Sequence, residues 1–177
     1  GRKGPDAHDL SFDYTGIARS GLMMCAGERD TPPAQILPGM GDEIGALICA
    51  WAVTAALYAR EKTGKGQVVD TSLMGSVIAM LGLLMEAPAV LGQEFGRELR
   101  ITAGNPIYNH YRCQDDKWIV IAHLDPDRYW EKICRVTGIE ELKDDPRFNS
   151  IEARGKNARE LVTILDQRFA LRTRDEW

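Results

Sequence analysis

The chain has 177 residues, of which 44% are hydrophobic and 27% charged, with a formal net charge of −4 at pH 7. This is ordinary globular composition, sized for one domain or for a piece of a larger chain. Lys and Arg are scattered, which excludes a basic stripe for nucleic acid, and no uninterrupted apolar run reaches the length of a membrane span; Ser76 to Leu84 is too short and Glu86 follows it.

Residues 1 to 11 are polar with Gly and Pro and read as loop. A helix is predicted from about Asp13 to Met24, followed by a long loop with three prolines, CAGERDTPPAQILPGMG. From Asp42 to Arg60, apolar residues at Ile44, Leu47, Ile48, Trp51 and Ala55 give the spacing of an amphipathic helix, with Arg60, Lys62 and Gly64 suited to its end. Gln67 to Thr71 reads as a short strand. A second apolar helix is expected from Ser72 to Leu91, with Asp70 or Ser72 as its cap. After a loop to Pro106, Ile107–Cys113 and Lys117–Ala122 read as a hairpin turning at QDD. Helices are expected at Pro126–Thr137 and Ile151–Leu171. Thr173 and Glu176 have capping-box spacing, so a further helix is expected to begin there, and Gly1 opens as if in mid-protein. Both ends suggest a piece of a longer polypeptide.

The four cysteines, Cys25, Cys49, Cys113 and Cys134, are far apart and form no CxxC. Buried thiols in a reducing, cytoplasmic setting fit them better than disulfides or zinc. His123 and Asp125 lie close together but lack a second ligand pair, so no metal site is expected. The methionines Met23, Met24, Met74, Met80 and Met85 read as core filler, Trp118 and Trp130 as packing residues, and His110 and His123 as structural residues of the hairpin.

PGMGDEIGAL, residues 38 to 47, places a carboxylate, Asp42, where glycines give way to a helix, with Glu43 directly after it. On these residues alone a helix cap is the commoner explanation and a nucleophile the sharper one.

Three stretches in order resemble one family: FDYTGIARSGLM, then GDEIGAL through TGKGQVVDTSL, then YRCQDDKWIVIA with DPRF after it. Thr63, which opens TGKGQVVD, lies 21 residues after Asp42, and that order and spacing are the specific part. The chain is similar to the family III CoA-transferases, the group that includes formyl-CoA transferase. The resemblance implies an α/β fold: residues 1–91 as the later part of a Rossmann-like large domain, 92–106 as a linker, and 107–177 as an incomplete small α/β domain. It implies interlocked homodimers of longer subunits and a coenzyme A thioester as substrate, with no tightly bound cofactor. It puts Asp42 at the position of the nucleophile, a carboxylate that forms mixed anhydrides and an aspartyl-CoA thioester. The helix start would favour its ionised form, and the Gly39 and Gly41 N–H groups would be available to a developing oxyanion. Leu10 and Phe12 fall on a CoA-contacting segment, and Gly104 with Asn105 on a loop that covers the active site. Polar residues can stand at the first two positions in the family. Their apolar replacement here suggests a bulkier, less polar acyl group. Two alternatives remain. The first is an α-methylacyl-CoA racemase-like proton transfer, whose His would fall on Phe12, which cannot accept a proton. The second is an inactive structural fragment.

Overall fold

Glycines rather than large side chains set the helix packing in the first half of the chain. The computed structural model describes residues 3–92 and 97–177, which divide into two compact units, Gly1–Arg97 and Glu98–Trp177. The fold is mixed: seven α-helices and a two-stranded antiparallel sheet among the described residues.

In the first unit, α1 (Asp13–Arg19), α2 (Met40–Thr63) and α3 (Leu73–Met80) meet at three glycines. A Cβ on Gly16 would stand 2.9 Å from Leu73 Cβ. One on Gly45 would stand 2.7 Å from Leu73 Cδ2, and one on Gly41 2.8 Å from Ile17 Cγ2. Real Cβ atoms do not approach so closely, so these three positions let the helix backbones come together. Ile17, Leu22, Met23, Val77 and Leu81 form the core beneath, with Met40, Ile44 and Leu84 packed on it.

Several boundaries differ from the sequence expectation. The first helix stops at Arg19, because Gly21 turns left-handed (φ 84°) before a short 3₁₀ turn at Leu22–Met24. Gln67–Thr71 forms no strand; it has no ladder partner among the described residues, and an unpaired strand leaves its backbone unsatisfied. The expected helix after it breaks at Leu81 into α3 and α4 (Gly82–Leu91). Ser72, not Asp70, is the cap, accepting from the Gly75 N–H at 3.1 Å.

The predicted apolar stripe on α2 is only partly covered, with Ile44 packed on the core and Ile48 half-buried. Leu47 and Trp51 are 69% and 71% exposed, and Tyr58 is exposed on the same helix. Helix α2 is long and apolar enough to cross a membrane by length and composition. No unbroken apolar run marks this helix in the sequence, because its Ala-rich stretch is apolar on average rather than continuously. The methionine expectation is also corrected: Met23 is buried, but Met24, Met74, Met80 and Met85 are exposed.

In the second unit, β1 (Tyr108–Arg112) pairs with β2 (Trp118–Ala122), with Arg112 opposite Trp118. The turn uses Asp116 at φ 59°, a conformation that Asp tolerates better than most residues. Tyr111 points inward, stacks on Phe169 with ring centroids 4.9 Å apart, and donates its hydroxyl hydrogen to the Pro106 carbonyl at 2.6 Å. Helix α5 (Pro126–Thr137) starts and ends where the sequence placed it, with Pro at its first turn and Gly138 left-handed at its end. The last predicted helix is two, α6 (Ile151–Lys156) and α7 (Ala158–Phe169). They break at Asn157, whose amide donates to the Ala153 and Arg147 carbonyls. At the end, the Glu176 carboxylate accepts from the Thr173 N–H and hydroxyl at 2.8 Å each, so the capping-box bonds form around a turn. Trp130 is buried, as expected, whereas Trp118 is half exposed and lies against His110. His123 stacks on Tyr129.

The cysteines divide in two, correcting the expectation of four buried thiols. Cys25 is exposed and Cys49 half-buried, while Cys113 and Cys134 are buried. Burial pushes the Cys134 thiol up to about 12. Iodoacetamide at neutral pH is expected to label Cys25 first and to spare Cys113 and Cys134 until denaturant is added. Peptide mapping of the alkylated protein checks this, and early labelling of Cys134 would contradict the packing described.

Candidate active site

The loop into α2 ends at Gly39, which sits at the N-cap with φ 80°. Glycine has no side chain to cap the first free N–H groups of the helix, and such groups need a partner from elsewhere. The partner is Asp13, 26 residues earlier, at the start of α1. Its Oδ2 accepts from the Gly39 N–H at 2.8 Å and its Oδ1 from the Gly41 N–H at 2.7 Å. The Gln35 side-chain amide adds a longer bond of 3.3 Å. A Cβ on Gly41 would lie 2.9 Å from Asp13 Oδ1, so glycine is what admits the carboxylate. The Gly39 N–H foremost, then those of Gly41 and Asp42, hold the Asp13 carboxyl below the usual carboxylate range, against the opposing effect of partial burial.

This resolves the question posed by Asp42. Asp42 is the third residue of α2, and its side chain caps nothing. It is exposed, and its carboxylate has no hydrogen bond or ion pair among the described residues. The cap and the candidate nucleophile are therefore two different carboxylates. One expectation is overturned here. The Gly39 and Gly41 N–H groups are occupied by Asp13 and are not available to an oxyanion.

Asp13 is the residue that sequence reasoning missed in this role. A signal existed: PGMG opens a long helix with no Ser, Thr, Asp or Asn at the cap, so an acceptor had to come from another segment. Nothing in the local sequence says which one.

The other predicted residues are placed as follows. Leu10 and Phe12 are both strongly exposed. Leu10 lines a cleft of about 840 Å³ with Lys3, His8, Arg19, Ser72 and Leu73; Phe12 and Asp42 are not among its lining residues. Phe12 is extended and precedes α1, and its N–H donates to Thr15 Oγ1 at 2.8 Å. Gly104 and Asn105 lie in the second unit and are fastened there. The Asn105 amide donates to the His123 carbonyl at 3.0 Å, and its Oδ1 accepts from the Ile107 N–H at 3.2 Å. A Cβ on Gly155 of α6 would stand 2.8 Å from the Gly104 carbonyl oxygen. Among the described residues, no three His, Cys, Asp or Glu side chains are grouped to hold a metal ion.

The profile of CoA-transferase family III matches residues 1–177, the whole chain. The chain belongs to this family. Among curated relatives, it is 32% identical to the (R)-2-hydroxy-4-methylpentanoate CoA-transferase of Clostridioides difficile, across 100% of this chain and 44% of that protein. It is also 32% identical to the cinnamoyl-CoA:phenyllactate CoA-transferase of Clostridium sporogenes, with the same two coverages. Among solved structures, a CAIB/BAIF family protein from Brucella suis superposes with a TM-score of 0.88 at 28% identity, over 99% of this chain and 46% of that one. This family III chain thus spans somewhat less than half the length of the relatives it matches. Its mixed fold superposes on part of the Brucella suis structure.

Proposed function

We propose that the polypeptide carrying this chain moves CoA from an acyl-CoA to a free carboxylic acid, with Asp42 as the covalent nucleophile. The supporting observation is that Asp42 stands exposed on the first turn of α2 with its carboxylate uncommitted, while Asp13 serves as the cap. A carboxylate oxygen attacks the thioester carbonyl, the C–S bond breaks, and a mixed anhydride and CoA thiolate result. The thiolate then attacks the aspartyl carbonyl of the anhydride, releasing the donor acid and leaving an aspartyl-CoA thioester. The acceptor carboxylate displaces the thiolate to give a second anhydride. Attack of the thiolate on the acceptor acyl carbon yields the new acyl-CoA and frees Asp42. No electrons are exchanged, and no group outside the two substrates is consumed.

Racemase-like chemistry gains no support, since Phe12 offers no proton acceptor where that reading needs a histidine. The acid pair is approached through the relatives: (R)-2-hydroxy-4-methylpentanoate and phenyllactate head the panel of acceptors. The exposed Leu10 and Phe12 suit less polar acyl groups. The same reading makes the subunit a homodimer. Exposed Leu47, Trp51 and Tyr58 of α2 would be covered by its longer chain or its partner.

The test is trapping. The full polypeptide is incubated with an acyl-CoA panel, quenched with hydroxylamine, and digested for peptide mass spectrometry. A hydroxamate on Asp42 that requires acyl-CoA is the expected result. Its absence, with exchange of the α-proton into deuterated solvent, would replace this reading with the racemase-like one. Light scattering on the same sample is expected to give the mass of two subunits.

A further inference from the structure

Resting on the transferase reading, we infer that Asp13 is a positioning residue for Asp42, holding the N-terminus of α2 so that the Asp42 carboxylate remains free to attack. Two oxygens of one carboxylate straddle the helix start, one on the N–H of the capping glycine at 2.8 Å and the other on the Gly41 N–H at 2.7 Å. Gln35 braces the same carboxylate. The close approach of α1 to α2 leaves no room for a side chain at position 41, so the Asp13 carboxylate reaches the backbone there directly.

The physical reason is competition for donors. Free N–H groups at a helix start attract the nearest anion. With Asp13 gone, the first turn of α2 itself still carries two carboxylates, Asp42 and Glu43, able to turn back toward those donors. A carboxylate drawn back onto backbone N–H groups has its lone pairs engaged and its oxygen turned from the incoming thioester. Asp13 saturates these donors from a separate helix and so keeps the nucleophile out of the cap. Ordinary capping also stabilises a helix, so the two roles must be separated by kinetics.

The experiment uses the full polypeptide with Asp13→Asn, Asp13→Glu, Asp13→Ala and Gln35→Ala. Circular dichroism first establishes that each is folded at the assay temperature. Asn keeps the shape but sets an NH₂ against one of the two N–H donors. In Asp13→Asn the expected result is a fall in kcat of about 10- to 100-fold, with the KM for acyl-CoA within about twofold of the parent, since a misplaced nucleophile slows chemistry more than binding. Asp13→Glu, which keeps the charge, is expected to recover more activity than Asp13→Ala. Gln35→Ala leaves both backbone bonds in place but removes the brace on the Asp13 carboxylate, and is expected to lower kcat measurably, though by less than Asp13→Asn, with no change in melting temperature. It remains informative if the Asp13 variants fail to fold: a Gln35→Ala protein with full kcat then overturns the inference. Hydroxamate formation on Asp42 at the parent rate in folded Asp13→Asn also overturns it, as does loss of activity only in proportion to unfolding. No adduct on Asp42 in the parent protein overturns the transferase reading and this inference with it, whereas a normal parent adduct and a normal Asp13→Asn adduct overturn this inference alone.

Discussion

Replacing Asp42 by Asn is expected to lower CoA transfer by on the order of 10⁴-fold or more, the scale seen when a covalent nucleophile is removed. It is expected to leave the melting temperature within about 2 °C of the parent, as for a surface change that breaks no contact. The pairing of those two outcomes is what makes the result informative. Were Asp42 a helix cap, its loss would cost about 1 kcal/mol of stability. The structure assigns capping to Asp13, whose oxygens take the Gly39 and Gly41 N–H groups. Asp42 makes no side-chain hydrogen bond among the described residues, and Asn is nearly the same size. An amide is a poor nucleophile toward a thioester and cannot form the anhydride. Steady-state transfer assays and thermal denaturation of the same preparation check the two halves. Retained activity would remove Asp42 from the mechanism. Lost activity with a large drop in melting temperature would return it to a structural role.

The largest stability effect is expected in the second unit, at Arg154 of α6. Its side chain is 0% exposed. One guanidinium nitrogen donates to the Phe148 carbonyl at 2.7 Å and another to Asp127, and the group lies over the Trp130 ring at 4.9 Å. Its Nε has no partner among the described residues. Arg154→Ala removes all of this and opens a cavity beside Trp130, for an expected cost of about 3 kcal/mol or more. For a unit of this size, that lowers the melting temperature by roughly 10 °C or more. Two further variants decide which contact matters. Asp127 is half exposed, so Asp127→Asn is expected to cost less than about 1 kcal/mol. Arg154→Met keeps most of the stem volume and is expected to fall between the other two, because it leaves only the Phe148 carbonyl wanting a partner. If Asp127→Asn were as damaging as Arg154→Ala, the ion pair rather than the buried stem would hold α5 to α6. Cys134, on the same buried side of α5, would serve as an independent reporter, since alkylation of it requires that packing to open.

Much of the fold is written in local sequence. The hairpin was legible because its two runs are β-rich and its turn residues are unmistakable. Helix α5 was legible because Pro126 and Gly138 punctuate it at both ends. The order and spacing of GDEIGAL and TGKGQVVD carried the family, and with it the candidate nucleophile. These are local signals: turn chemistry, capping residues and short-range spacing act over a few residues, and the sequence displays them directly.

Other features were decided by contacts that no local pattern contains. Residues 67–71 have strand-like composition but, among the described residues, no neighbour to pair with, and strand formation is a property of pairs. The apolar stripe of α2 has the period of a buried face, yet period reports only that a face is apolar, not what covers it. The same holds for the exposed methionines and Trp118, whose apolar character does not say what covers them. The division of roles between Asp13 and Asp42 lay furthest from the sequence's reach. It depends on a bond across 26 residues, made possible because Gly16, Gly41 and Gly45 let three helices approach at distances that any Cβ would forbid. The sequence by itself determined which carboxylate stands at the head of α2. Only the tertiary structure decided that another carboxylate caps that helix, because hydrogen-bond partners are settled by which segments are brought together in space.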